Sequence, residues 1–164
     1  MSENLEYMRP LRLAGICVPT GAKEDVLHAW KRLNEWILRK SLIREIEIGY
    51  GLVRVDKDGF DYTACIELPA AVTRSEAEEL SRASLQGGAY MRCRYQGPVS
   101  EICRELEAMR EKMGGNEHMH LDAKRPLVSV LLDLKGVNSG LDVRSNLLVP
   151  VCGSELSKSS PKAA

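Results

Sequence analysis

The sequence predicts an α+β domain: a strand-helix-strand-strand unit used twice, whose antiparallel sheet carries two main helices on one face and leaves a groove between the halves. Three observations predict it. Gly21 and Gly97 stand 76 residues apart, each just ahead of an amphipathic stretch. At that spacing Val26, Leu27, Trp30, Leu33 and Ile37 fall on Ile102, Cys103, Leu106, Met109 and Met113, apolar on apolar, which marks an internal repeat. After each stretch come two segments of alternating polarity joined by turn residues, and hairpins that share one helix per unit place both helices on one side of a sheet.

The elements follow in order. Leu11–Val18 has strand character, and residues 22–40 form a helix, since the apolar positions recur at i, i+4, i+7 and i+11 while Lys23, Arg32, Glu35 and Arg39 take the rest. Ile46, Ile48, Tyr50 and Leu52 then alternate with Glu45, Glu47 and glycines; past a turn at Lys57-Asp58-Gly59, Tyr62, Ala64, Ile66 and Leu68 alternate with Thr63 and Glu67, which completes a hairpin. A bridge over 70–88 contains Ser75-x-x-Glu78, a pattern that caps a short helix.

The second unit repeats the plan. In Ala89–Tyr95, Met91, Cys93 and Tyr95 alternate with Arg92 and Arg94, the period of a half-buried strand. A helix follows over 98–113, with Pro98 suited to the first helical position and Gly114-Gly115 to the stop. Leu127–Leu134 and Val143–Val149 form the second hairpin around Gly136–Gly140. Its strands end at Pro150, 81 residues after Pro69, so its turn carries about five extra residues. The domain therefore spans 8–152, with pseudo-repeats 11–69 and 87–150, and the tail 153–164 is too polar to pack and is expected to be disordered.

Composition sets the outer limits. A chain of 164 residues buries a core without staples, and 23 Lys plus Arg against 23 Asp plus Glu removes the bulk attraction on which binding to nucleic acid or acidic membranes rests, although a local basic patch stays open. No apolar run approaches the roughly 20 residues that span a bilayer, which fits a soluble, cytoplasmic protein without membrane contact. About ten residues precede the first strand, too few for a helix-turn-helix, so direct DNA binding is not expected. The five cysteines are odd in number and widely spread, as reduced core residues would be. Cys17 and Cys93 are equivalent at the spacing of 76 and would line the junction of the halves.

The run Ala29-Trp30-Lys-Arg-Leu33-Asn-Glu-Trp36-Ile37, the strand ending Cys65-Ile-Glu-Leu-Pro69, Gly87-Gly88-Ala-Tyr90 leading to Gly97-Pro98, and Leu148-Val-Pro150-Val resemble the GyrI-like small-molecule-binding domain, which is also the effector-binding half of many AraC-type and MerR-type regulators. The resemblance covers roughly residues 8–152. It implies a pseudo-two-fold pair of units with a ligand groove at their junction, ligands that are apolar and often cationic, and, in some members, inhibition of DNA gyrase or hydrolysis of strained rings. The family often places a Glu, followed two residues later by a Tyr, on the third strand of the second unit. Aligning on Pro126 puts Ser129 and Leu131 there, which removes the acid that would attract a cation and leaves Asp133 as the carboxylate available from that strand face.

Candidate ligand contacts follow from chemistry and from this alignment. Trp30 lies on the buried stripe and belongs to the core; Trp36 lies about 60° off it and departs from the repeat, which points to the groove. Tyr50, Tyr62, Tyr90 and Tyr95 each offer a flat ring and one hydroxyl, the combination that selects planar ligands in an apolar cavity. Cys93, Ser129, Leu131 and Asp133 complete the set. Glu67 reads as a solvated surface charge. His118, His120 and Asp122 could supply three metal ligands but lack a fourth, so no metal is expected, nor any cofactor. There is no nucleophile elbow, phosphate loop or dinucleotide fingerprint, and nothing identifies an enzyme. The function expected is that of a stand-alone small-molecule-binding protein that senses or sequesters apolar compounds, aromatic or cationic ones among them. The alternatives are a gyrase inhibitor acting by protein contact and, behind it, a small-molecule hydrolase of the same fold.

Overall fold

The computed structural model describes residues 4–20, 22–56, 59–115, 120–134, 137 and 142–152, with the backbone alone at 56, 59 and 60. The tail 153–164, the turn residues Lys57 and Asp58, His118 and the loop residues Gly136 and 138–141 lie outside the described residues. Eight strands are described: β1 Asn4–Met8, β2 Leu11–Val18, β3 Gly49–Asp56, β4 Gly59–Glu67, β5 Ser81–Leu85, β6 Gly88–Gly97, β7 Leu127–Leu131 and β8 Val143–Pro150. They form one antiparallel sheet in the order β1-β6-β8-β7-β3-β4-β2-β5. Helix α1, Lys23–Arg39, follows β2, and α2, Ile102–Gly114, follows β6 after a single 3-10 turn at Val99–Glu101. The duplicated unit is thus β2-α1-β3-β4 and β6-α2-β7-β8, joined at the centre by β3 against β7.

Both faces of the sheet are buried, not one. On the first face Ile16, Val53, Tyr62, Ile66, Cys93, Leu127, Leu131 and Leu147 pack with Trp30, Leu33 and Ile37 of α1 and Leu106, Met109 and Met113 of α2. On the second, Leu11, Leu13, Tyr50, Leu52, Cys65, Leu85, Tyr90, Val128 and Leu148 pack with one another and with no helix. These are the alternate positions of the same strands, as the pleat requires. The second core exists because the sheet curls. β1 pairs with β6 at one edge of the sheet while β2 sits beside β5 at the other, and only Arg9-Pro10 joins β1 to β2. Three peptide steps span at most about 11 Å, so the two edges are drawn together.

Gln86-Gly87 joins β5 to β6 in the same way, and the two connections touch: a Cβ on Gly87 would lie 2.6 Å from the Met8 carbonyl oxygen and 2.9 Å from the Pro10 ring. Arg9 adds a clamp there, donating from both terminal nitrogens to the Glu67 carboxylate at 2.9 Å. Glu67 is therefore a half-exposed surface charge, as expected, and one with a partner.

Several expectations are corrected. The first strand starts at Asn4, not Leu11, and the bridge contains β5 instead of a helix. Its capping bonds run between Thr73 and Glu76, backbone N–H to Glu76 Oε1 and Glu76 N–H to Thr73 Oγ1, both 3.3 Å, instead of between Ser75 and Glu78. Pro98 has extended ψ of 139° and stands outside the helix, which begins four residues later at Ile102. Pro150 lies within β8 opposite Tyr90 and is not the counterpart of Pro69.

Cys17 and Cys93 do not share a junction either. Cys17 is exposed and points away from the helices, while Cys93 is buried beneath them beside Met91 and Tyr95. The residue that faces like Cys93 in the first unit is Ile16, so the strands repeat at 77 residues while the helices repeat at 76. One residue of slip turns every side chain of a strand to the other face.

Candidate ligand site

At the seam of the two units Gly51 of β3 is paired with Ser129 of β7. On the helix face above this pair, Trp30 of α1 donates its indole Nε1–H to the Tyr62 hydroxyl at 2.7 Å, with both rings buried. Gly49 and Gly51 make that arrangement possible. A Cβ on Gly49 would lie 2.8 Å from the Trp30 ring, and one on Gly51 would lie 2.4 Å from Tyr62 Oη and 2.5 Å from Ser129 Oγ. The Gly-x-Gly of this strand is therefore the clearance for an indole and a phenol, and has nothing to do with phosphate. Burial, above all other influences, drives the Tyr62 phenol far above its ordinary range, so it stays protonated. The same cause raises the neighbouring Cys103 thiol to about 12.

The centre of the groove is thus filled by the protein's own side chains. Open space remains beside it, as a cavity of about 110 Å³ lined by Val53, Val55, Arg110, Leu121, Asp122, Ala123, Arg125, Leu127, Val149 and Pro150. Val53 is the register partner of both Tyr62 and Leu127, so the cavity adjoins the Trp30–Tyr62–Ser129 cluster along the seam. Its walls are aliphatic except for Arg110 of α2 and one ion pair, in which Arg125 Nε donates to Asp122 Oδ2 at 2.8 Å. That bond, with a second from the Lys124 backbone N–H, holds the Asp122 carboxyl below its ordinary range.

The structure distributes the nine sequence-predicted contacts unevenly. Tyr62, Ser129 and Leu131 come together at the seam on the helix face. Cys93 and Tyr95 lie on the same face along β6, where the Tyr95 hydroxyl donates to the Pro98 carbonyl at 2.9 Å. Trp36 is fully buried on α1. Tyr50 and Tyr90 belong to the second core, on the other side of the sheet. Asp133 is exposed, because β7 ends at Leu131 and the chain then turns to bond Leu134 N–H to the Glu47 carbonyl, which puts Leu134 and not Asp133 into the core beside Leu131.

None of the nine lines the cavity itself. The residues that do, Val53, Leu127 and Val149, carry no signal beyond ordinary strand patterning. Asp122-x-x-Arg125 ahead of Pro126 does carry one, an acid and a base spaced to close a turn on each other. Of the metal candidates, Asp122 is engaged by Arg125, and no group of three metal-binding side chains exists among the described residues. No described helix is long and apolar enough to cross a membrane.

No protein-family model and no curated protein matches the sequence. Solved structures do match. SAV2435, in a structure bound to tetraphenylphosphonium, superposes with a TM-score of 0.62 at 16% identity, over 95% of this chain and 97% of its own. A candidate bacterial transcription regulation protein from Staphylococcus aureus MU50 gives 0.58 at 14% identity, over 92% and 98%. A hydrolase from Listeria innocua gives 0.59 at 16% identity, over 92% and 91%. At such identities the likeness is one of fold.

Proposed function

We propose that the chain is a GyrI-like small-molecule-binding protein that takes up apolar compounds at the β3–β7 seam beneath α2. The observation that carries this reading is the aliphatic cavity beside the Trp30–Tyr62–Ser129 cluster, at the junction where the sequence resemblance expects a ligand. The bound tetraphenylphosphonium of SAV2435, a protein of the same fold, supports it.

Size and charge refine the proposal. A cavity of about 110 Å³ accepts one small ring, whereas drug-sized ligands need about 300 Å³ or more. A larger guest therefore requires α2 to yield, and the flexible Met109 and Met113 on its buried face suit that adjustment. Tyr62, Ser129 and Leu131 then become the inner wall. Asp122 is the carboxylate among the lining residues and is already neutralised by Arg125, so a cation entering here would go unpaired at a cost of several kcal/mol. The preferred ligands are neutral. Asp122 also has no proton to give near neutral pH, and its two oxygens already accept from Arg125 Nε and the Lys124 N–H, so it is not set up as a general acid or a free general base.

Thermal-shift and tryptophan-fluorescence titrations with triphenylmethanol and with tetraphenylphosphonium test the proposal. The neutral compound is expected to stabilise the protein and the cation to do so weakly. Leu121→Trp, which fills the cavity, is expected to abolish both responses. No response to any apolar compound would sink the reading.

A further inference from the structure

Arg125 faces two cavities, and only one belongs to the site above. The other is a basin of about 590 Å³ between the starts of β2 and β7 and the ends of β3 and β5, with Arg12, Arg54, Lys124 and Arg125 in its lining. These are four of its ten lining residues and none of the rest is a carboxylate, in a chain whose acids and bases balance at 23 each. Among the described residues no ion pair engages Arg12, Arg54 or Lys124. Acids around it are engaged or opposite a lining cation: Asp122 is taken up by Arg125, Glu67 by Arg9, and Asp61 is the cross-strand partner of Arg54.

Arg125 is the built part of this basin. Its side chain is 7% exposed. Nε is bonded to Asp122 and one terminal nitrogen to the carbonyls of Ala89 and Val151, while the guanidinium lies 4.8 Å from the centre of the Tyr90 ring. The remaining nitrogen, Nη1, is buried and makes no hydrogen bond of ordinary length and angle. A guanidinium carries donors alone, and a buried donor left unmade costs more than a bond gained returns. Gly88 keeps the place clear, for its backbone has φ of +142° and a Cβ there would stand 2.5 Å from Nη1.

We propose that this basin binds a small organic oxyanion, a carboxylate or a phosphate or sulfate ester on an apolar body. Arg125 Nη1 is its buried anchor, and Arg54, Lys124 and Arg12 form a cationic rim. An oxyanion oxygen supplies Nη1 with the well-formed bond it lacks, and charge-assisted bonds of this kind are the strong ones. Leu11, Leu85, Pro10 and Pro126 offer the apolar body its floor. The ligand differs in charge from that of the seam cavity and lies on the other side of Arg125.

The test titrates the full chain with two fluorescent probes that share their rings, anilinonaphthalene sulfonate and the neutral phenylnaphthylamine. The anionic probe is expected to bind more tightly. It should lose about tenfold in affinity in Arg54→Gln/Lys124→Gln, two exposed positions, and weaken with added salt, while the neutral probe is unchanged. Leu121→Trp separates the two sites, since it should leave the anionic probe bound even where it blocks the seam cavity. Displacement by benzoate or by phenyl phosphate then assigns the preferred oxyanion. Failure of the anionic probe to bind, equal losses for both probes, or loss on Leu121→Trp would overturn the proposal.

Discussion

Trp30 and Tyr62, 32 residues apart, meet through a 2.7 Å hydrogen bond directly above the Gly51–Ser129 pair that joins the two units. The bond ties α1 of the first unit to the seam and closes the centre of the groove. Its removal should therefore register in stability before it registers in binding.

Tyr62→Phe keeps the ring and deletes the acceptor, leaving the Trp30 N–H buried and unpaired. A loss of about 1–3 kcal/mol is expected, read as a shift of the urea midpoint. Tyr95→Phe deletes a hydroxyl bonded to a carbonyl at a more exposed site and should cost about 1 kcal/mol or less. Equal losses for the two would mean that the buried bond contributes nothing special.

Gly51→Ala introduces a methyl 2.4 Å from Tyr62 Oη and 2.5 Å from Ser129 Oγ. Overpacking of this kind costs about 1–3 kcal/mol. The clash is with a hydroxyl, so combining Gly51→Ala with Tyr62→Phe should cost less than the two single losses added together. Strict additivity in the double-mutant cycle would place the strain elsewhere.

Alkali should unfold the protein early. Burial raises the Cys103 thiol from 9.0 to about 12 and lifts the Cys65 thiol and the Tyr62 phenol further. In the unfolded chain the thiols lose their protons from about pH 8.5, while in the folded chain they keep them. The contribution is therefore complete below that pH and falls as pH rises toward 12, by up to about 1.4 kcal/mol per pH unit for each thiol. Melting temperatures across pH 8 to 11 test this; Cys103→Ala should flatten the decline, and an unchanged slope would remove the thiol from the account.

The same burial sorts the cysteines by reactivity. Cys17 is exposed, whereas Cys65, Cys93 and Cys103 are buried. A thiol-exchange reagent at neutral pH should titrate Cys17 first and reach Cys65 and Cys103 only on unfolding. Rapid reaction of all five in the native protein would contradict the packing described.

The repeat was legible because helix stripes are read at long range: Val26, Trp30, Leu33 and Ile37 match Ile102, Leu106, Met109 and Met113, and all eight are buried against one sheet, whereas Leu27, matched to the buried Cys103, is exposed. Strand β1 was not legible, since Asn4–Met8 is short, its apolar Leu5 and Tyr7 stay exposed, and it becomes a strand only through β6, 80 to 88 residues away in sequence. Ser81-Arg-Ala-Ser-Leu85 fails for the same reason, its partner being β2. The second core hid behind an assumption of one buried face, although Leu11, Leu13, Ala14 and Ile16 on one strand already exceed what a half-buried strand needs. Of the candidate site, Tyr62 was singled out for its ring and hydroxyl and Ser129 and Leu131 by alignment on Pro126; the three meet at the seam, but none lines the cavity. The cavity was not legible, because its walls are strand aliphatics, Arg110 of α2 and a turn closed by Asp122 and Arg125.

The crossed connections at Arg9-Pro10 and Gln86-Gly87 have a consequence for the ancestry of the architecture. Each unit sends its leading strand to finish the other's sheet, so the N–H row along β6 or along β2 is covered only by a segment the opposite unit supplies. A shorter chain holding one unit and its leading strand would meet that need by trading the strand with a second copy of itself. Geometrically the present protein is equivalent to that reciprocal, strand-swapped homodimer on a single polypeptide, with residues 70–80 as the tether between its two units.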